Sequence, residues 1–325
     1  MRCLAIAEEW SARGGSVLWL TRETRTVESI TTAINVRILE LQAEPGTSAD
    51  AVATREVAQS CRASWVLADL FGYDPSYFAS AKTEDGRWMI ACDEPLEIGD
   101  QIDAVLSPGP QATSAHFPGR KTSCDLLLGL EYALLRAAIR RDHAGTASRQ
   151  IPPRNILMTF GGSDPNDLTH LTISLLRSHI PVSGVQWRVV LGPNYRGQCP
   201  AGIDGHGGWR VEFLHDVSDM ARQYEWADLI ICGASTTLWE ALFFALPVIA
   251  IPAAASQLPL FNALVRFPAI TRFSTPDQSF GEWVSSLCQG RSDAVDWLTA
   301  ASAAGPAMVD GRGTVRAVDY MLSRN

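Results

Sequence analysis

The chain has 325 residues, 46% hydrophobic and 19% charged, with 27 Lys plus Arg against 35 Asp plus Glu and a formal net charge of -8. At roughly 100–200 residues per domain this length suggests two domains, and the apolar content supplies packed cores, which excludes a disordered chain. The acidic balance argues against nucleic acid as a partner, because phosphate binding wants a basic stripe. Only Lys82 and Lys121 are lysines, and neither stands in a Gly-Lys-Ser/Thr phosphate loop.

The seven cysteines (Cys3, Cys61, Cys92, Cys124, Cys199, Cys232, Cys288) have no C-x-x-C spacing. That pattern reads as reduced core thiols of a cytoplasmic protein, without disulfides or zinc. No apolar run reaches the roughly 18 residues of a membrane span, and the N-terminus MRCLAIAEEW lacks a secretion pattern. No membrane insertion and no cofactor or metal are expected.

In chain order the pattern predicts a helix over Met1–Ala12 and strands at Ser16–Leu20, Val36–Leu41, Trp65–Asp69, Trp88–Cys92 and Asp103–Leu106. A second series follows at Asn155–Phe160, Trp187–Leu191, Arg210–Leu214, Asp228–Cys232 and Pro247–Ile251. These are continuous apolar runs, as for parallel strands buried on both faces. Their alternation with helical segments predicts an α/β protein of two doubly wound, Rossmann-like domains, residues 1–145 and 151–325. The small, polar, proline-ended stretch at 141–153 (RDHAGTASRQIPP) suits a hinge. Such a pair is expected to bind its ligand in a cleft at the carboxyl ends of the strands.

Three segments carry ligand-binding chemistry. Phe160-Gly161-Gly162-Ser163-Asp164-Pro165-Asn166 ends a strand in two glycines, with Asp164 expected as a helix N-cap and Pro165 as its first residue. Cys232-Gly233-Ala234-Ser235-Thr236-Thr237 breaks a strand at glycine and opens a helix with three hydroxyls, a diphosphate site that needs neither lysine nor metal. Glu240 lies one turn in, where it either completes a capping box with Thr237 or takes a ribose diol. The third signal is the pair Leu214-His215-Asp216-Val217-Ser218-Asp219-Met220 and Ile251-Pro252-Ala253-Ala254-Ala255-Ser256-Gln257. Backbone groups of the first suit a base edge, and Gln257 suits a sugar or phosphate. Each motif also has a plainer reading as a strand-to-helix turn or a helix cap.

Taken together, LLLGLEYALLR (126–136), ILMTFGGSDPNDLT (156–169), VVLGPNY (189–195), FLHDVSDMA (213–221), GASTTLWEALFFALPVIAI (233–251) and MVDGRGTVRAV (308–318) resemble the UDP-sugar hydrolases of pseudaminic acid biosynthesis. That family has the GT-B architecture of the lipid II glycosyltransferase and releases UDP from a UDP-diacetamido-trideoxy sugar. The resemblance implies a UDP-sugar substrate, with uracil near His215–Met220, the diphosphate at Ser235, Thr236 and Thr237, and the ribose at Glu240.

The first half departs from that pattern. The family opens with a strand and a G-x-G-H turn whose histidine is thought to activate water, whereas this sequence begins at the following helix, Met1-Arg2-Cys3-Leu4. A first strand in a doubly wound sheet is central, and its loss strands its neighbours' backbone groups at about 1–3 kcal/mol each when buried; an upstream start is therefore expected. The family's Asp-His-Tyr-Gly stands here as Asp69-Leu70-Phe71-Gly72, its paired aspartates as Asp93-Glu94, and its Asn-Gln as Ser256-Gln257. Asp69 is then the expected general base, with a structural cap as its plainer reading, and turnover is expected to be slow. Water attacking the anomeric carbon with inversion is the leading reaction; an inverting glycosyltransferase and a degenerate UDP-sugar-binding partner are the alternatives.

Overall fold

The computed structural model describes residues 1–31, 34–69, 73–141, 149–179, 184–197, 203–204, 210–215 and 217–324. Leu70, Phe71, Gly72, Asp216, Cys199, His143 and His206 lie outside the described residues, as does most of the expected hinge. The chain divides into two compact units, Met1–Ala137 with Gly311–Asn325, and Ala138–Asp310.

In the first unit the strands are β1 (Val17–Thr21), β2 (Val36–Glu40), β3 (Trp65–Asp69), β4 (Arg87–Ala91), β5 (Ala104–Ser107) and β6 (Asp125–Leu128). All their pairings are parallel. β4 and β5 are apolar without a break because they are covered on both faces: Trp88, Ile90 and Val105 enter one core, and Met89, Ala104 and Leu106 enter the other. The strands fall into two sheets, β1-β2 and β3-β4-β5-β6. β1 and β3 therefore each have one ladder partner among the described residues, and the helix Arg2–Ala12 packs against both.

The expected second domain ran to residue 325, but Gly311–Asn325 belongs to the first unit. The reason is local packing of the helix Gly313–Ser323. Thr314 Oγ1 accepts from the Leu135 amide at 3.0 Å and donates to the Leu135 carbonyl at 2.8 Å. Trp65 Nε1 donates to the Met321 carbonyl at 3.1 Å, and Ala317, Val318 and Met321 complete the core that holds Ile6 and Met89. Gly313 lies against Ala133 so closely that a Cβ would stand 2.2 Å from its carbonyl oxygen.

The second unit holds β7 (Asn155–Thr159), β8 (Gln186–Leu191), β9 (Ile203–Asp204), β10 (Arg210–His215), β11 (Leu229–Gly233), β12 (Val248–Ile251) and β13 (Ile270–Arg272). They form one sheet in the order β13-β12-β11-β7-β8-β10-β9, parallel except where β9 runs against β10. β11 and β12 are wholly buried. β7 is central, the chain winds outward through β8 and β10, then returns to β11 on the other side of β7. That reversal makes the β7–β11 pair the switch point of the sheet, where its crevice opens.

The ten strands read from the sequence are all present within a residue or two. β6, β9 and β13 were not read as strands; β9 and β13 have two and three residues, too short for a periodic signal. At the start of the unit, Asp228 accepts from the amides of Gln150, Arg154 and Asn155. Arg149 donates to the carbonyls of Tyr224, Glu225, Ala227 and Phe244, satisfying the orphan C-terminal carbonyls of the helices Met220–Trp226 and Thr237–Phe243. Of the cysteines, Cys92, Cys124, Cys232 and Cys288 are buried, whereas Cys61 is exposed and departs from the core expectation. Among the described residues no helix is long and apolar enough to cross a membrane.

Candidate functional site

Because β7, β8, β10, β11 and β12 are parallel, their carboxyl ends share one edge, and the loops that follow them are tied together. After β7, Gly161 adopts φ +86°, a left-handed conformation that glycine tolerates without the cost borne by a side chain. A Cβ built on Gly161 or Gly162 meets nothing within 4 Å, so packing against neighbours does not require either glycine. Gly192, after β8, is different: its Cβ would stand 2.3 Å from the Gly161 carbonyl oxygen. Asn194 donates its amide to the Gly162 carbonyl at 2.9 Å, and Tyr195 donates to Asp167 at 2.7 Å, which pins the turn from its β8 side. From the other side Asn166 Nδ2 donates to the Ala253 carbonyl, after β12, at 2.9 Å.

The helix after the glycine turn begins at Leu168, not at Pro165. Asp164 still caps it, but from a left-handed backbone (φ +41°) and across a longer span, accepting from the amides of Leu168 and Thr169 at 2.9 and 2.8 Å. The intervening residues form a turn that leaves Gly162 and Ser163 exposed.

After β11 the helix runs Thr237–Phe243, with Leu238, Trp239, Ala241 and Leu242 buried beneath it and Ser235, Thr236 and Thr237 half-buried. The expected capping box is not formed. Thr236 is the N-cap without a side-chain cap bond, Ser235 Oγ and Thr237 Oγ1 lie 3.3 Å apart, and Glu240 turns to another element. Its Oε2 accepts from the phenol of Tyr224 at 2.6 Å. Tyr224 is 1% exposed, and burial first, then the Glu240 charge, push its phenol well above the ordinary value. Gln257 spends its Oε1 on the Ala253 amide at 2.9 Å and lies over Gly233, where a Cβ would stand 3.3 Å from that oxygen. Gln257 therefore shapes the loop beside the hydroxyl cluster with its oxygen and presents only its Nε2 group for another partner. His215 is exposed at the end of β10, and Met220 opens the helix that bears Tyr224, four residues on. Gly161, Gly162, Ser163, Ser235, Thr236, Thr237, Glu240 and Gln257 thus gather around the switch point, while His215 and Met220 stand farther along the same edge.

Asp69, expected as the general base, is otherwise engaged. It ends β3, where Arg2 Nε and one terminal nitrogen take both its oxygens at 3.2 and 2.5 Å, and the other terminal nitrogen reaches Asp93 at 2.6 Å. Arg2 is 8% exposed, so one buried guanidinium bridges two carboxylates at the carboxyl ends of β3 and β4. Both acceptor oxygens of Asp69 are thus committed to one guanidinium. Burial holds the Asp93 carboxyl above the usual carboxylate range against the pull of Arg2, and its Oδ1 has no partner among the described residues. The same burial pushes the Cys3 and Cys92 thiols up to about 12, so both stay protonated. The sequence reading singled out neither Tyr224 nor the Arg2 bridge, because both contacts join residues far apart in the chain.

No protein-family model matches the chain. A stretch of 105 residues, 31% of this chain, is 31% identical to an uncharacterized protein of Methanocaldococcus jannaschii, MJ1062, and spans about a fifth (21%) of that protein's length. Solved structures similar over nearly the whole chain include MurG of Acinetobacter baumannii (17% identity, 99% of this chain and 95% of that chain, TM-score 0.62). UGT89C1 of Arabidopsis thaliana, complexed with UDP-L-rhamnose, is 10% identical over 98% of this chain and 94% of its own (TM-score 0.61). UDP-GlcNAc 2-epimerase from Neisseria meningitidis, bound to UDP-GlcNAc, is 9% identical over 100% and 98% (TM-score 0.62). The chain has the GT-B fold of these enzymes, built as two Rossmann-like units.

Proposed function

We propose that the chain is a UDP-sugar enzyme that holds uridine diphosphate at the β7–β11 switch point and releases it from the anomeric carbon of the sugar to water. The observation that carries this reading is the gathering of the Gly161-Gly162 turn, the Ser235–Thr237 hydroxyls and an anchored Glu240 at the one place where the sheet reverses. The amides of Leu238, Trp239 and Glu240 bond to the carbonyls of Ser235 and Thr236, so it is the half-buried hydroxyls of Ser235, Thr236 and Thr237, at the positive end of the helix Thr237–Phe243, that suit a diphosphate. Glu240 suits the ribose diol, the backbone at His215–Met220 suits uracil, and Gln257 Nε2 and Ser163 border the phosphate side. Three solved enzymes of this fold are named for, or were solved with, UDP-sugars, which supports the nucleotide assignment. The sequence resemblance supports a diacetamido-trideoxy sugar of pseudaminic-acid-type biosynthesis.

In the proposed reaction a water oxygen bonds to the anomeric carbon from the face opposite UDP. The carbon–oxygen bond to the β-phosphate breaks, its electron pair leaves with UDP, and the water's surplus proton passes to a base. Hydroxyls at the helix start that stabilise the charge growing on the diphosphate lower the barrier because they are already oriented.

Transfer to an acceptor hydroxyl is the second reading, favoured by the engagement of Asp69 with Arg2, which removes the carboxylate expected to activate water. Incubation with UDP-sugar, alone and with acceptor sugars, separates them by the release of UDP. Release without acceptor supports hydrolysis, acceptor-dependent release replaces it with transfer, and UDP binding without turnover leaves a binding protein.

A further inference from the structure

The phenol of Tyr224 and the carboxylate of Glu240 are 2.6 Å apart, the length of a strong hydrogen bond from a hydroxyl to an ionised oxygen. Both residues sit on a rigid frame. Arg149 ties the Tyr224 carbonyl and the Phe244 carbonyl, at the ends of the two helices that carry the pair. The Tyr224 ring also packs on Phe244 with centroids 5.4 Å apart. The carboxylate is therefore aimed by packed protein before any ligand arrives, and preorganisation of this kind removes ordering cost from binding. A phenol held far above its ordinary pKa by burial remains a neutral donor throughout the working range.

We propose that Tyr224 is a positioning residue: its buried hydroxyl fixes Glu240 for the ribose diol and so sets the preference of this site for ribonucleotides over 2′-deoxyribonucleotides. The inference rests on the assignment of UDP to the switch point and adds to it the group that makes sugar recognition exacting. A site built to receive a hydroxyl rejects a ligand that lacks it, because a polar group of the protein is then left unmatched. A carboxylate free to swing relaxes that penalty by turning to water.

The test is calorimetric titration of the full chain with UDP and with 2′-deoxy-UDP, for wild type, Y224F, E240Q and the double variant. Wild type is expected to favour UDP by about tenfold or more, and Y224F to reduce that ratio to about threefold or less while 2′-deoxy-UDP affinity changes little. If Tyr224 acts through Glu240, the double variant discriminates no worse than E240Q alone. A merely structural tyrosine would weaken both nucleotides alike, and an unchanged ratio in Y224F overturns the inference while leaving UDP at the site. Wild type that binds UDP without discrimination also overturns it. Absence of any UDP binding removes this inference together with the assignment beneath it. Should Y224F melt below the assay temperature, Glu240→Asp draws the same charge back by one methylene. Full discrimination in that variant would equally contradict the proposal.

Discussion

Replacing Arg2 with Met tests the first unit at its most concentrated electrostatic point. The substitution keeps the apolar stem but removes the charge and the three hydrogen bonds that hold Asp69 and Asp93. Breaking a fully buried pair by deleting one partner costs about 3–5 kcal/mol. Here the carboxylates are 25% and 35% exposed and partly solvated, which lowers the expected cost to about 2–3 kcal/mol. For a unit of this size that corresponds to a fall in Tm of about 5–10 °C. The pH dependence has a definite sign. Burial holds the Asp93 carboxyl above its ordinary value of 3.8, so its ionisation costs folding free energy as pH rises from that value through the raised one. Removing Arg2, whose charge opposes that rise, makes the cost larger. The R2M deficit is therefore greatest at neutral pH and smaller at an acidic pH low enough for Asp93 to take up a proton. Calorimetric melts of both proteins at the two pH values measure it. An R2M protein as stable as wild type near neutrality, or equally impaired at both pH values, would refute the reasoning.

Gly162→Ala places a methyl in open space without left-handed strain, so Tm should hold within about 2 °C while UDP affinity falls severalfold if a ligand approaches that backbone; thermal melts and titration read the two effects separately. Gly192→Ala sets its Cβ 2.3 Å from the Gly161 carbonyl and should destabilise by about 1–3 kcal/mol in denaturant titration. Asp164→Ala removes both caps of the helix Leu168–His179 and should cost about 1–2 kcal/mol by the same measurement. Thr236→Val and Thr237→Val together should weaken UDP by about tenfold in calorimetry, with Tm nearly unchanged because neither hydroxyl makes a cap bond.

The sheet of the second unit was legible because strands such as Leu229–Gly233 and Val248–Ile251 are apolar throughout, as double coverage demands. The glycine turn and the Ser-Thr-Thr helix start were legible because local backbone rules place them at strand ends. What the sequence concealed are contacts made by the fold across distance. Arg2 meets Asp69 and Asp93 across 67 and 91 positions, and Tyr224 meets Glu240 from a separate helix. Spacing reads Glu240 as a capping-box partner of Thr237, but the strong buried donor wins the carboxylate. The return of Gly313–Ser323 to the first unit depends on Gly313 fitting under Ala133, a closeness that no periodicity encodes.

The proposed uridine diphosphate site lies at Ser235–Glu240 beside the Gly161-Gly162 turn. Isothermal titration of the folded chain with UDP in metal-free buffer, set against titrations with ADP and uridine, tests it most directly. One UDP should bind per chain, with weaker ADP because the base edge is misread and little affinity for uridine without its diphosphate. Heat-silent titrations confirmed by equilibrium dialysis, or equal affinity for uridine and UDP, would contradict it.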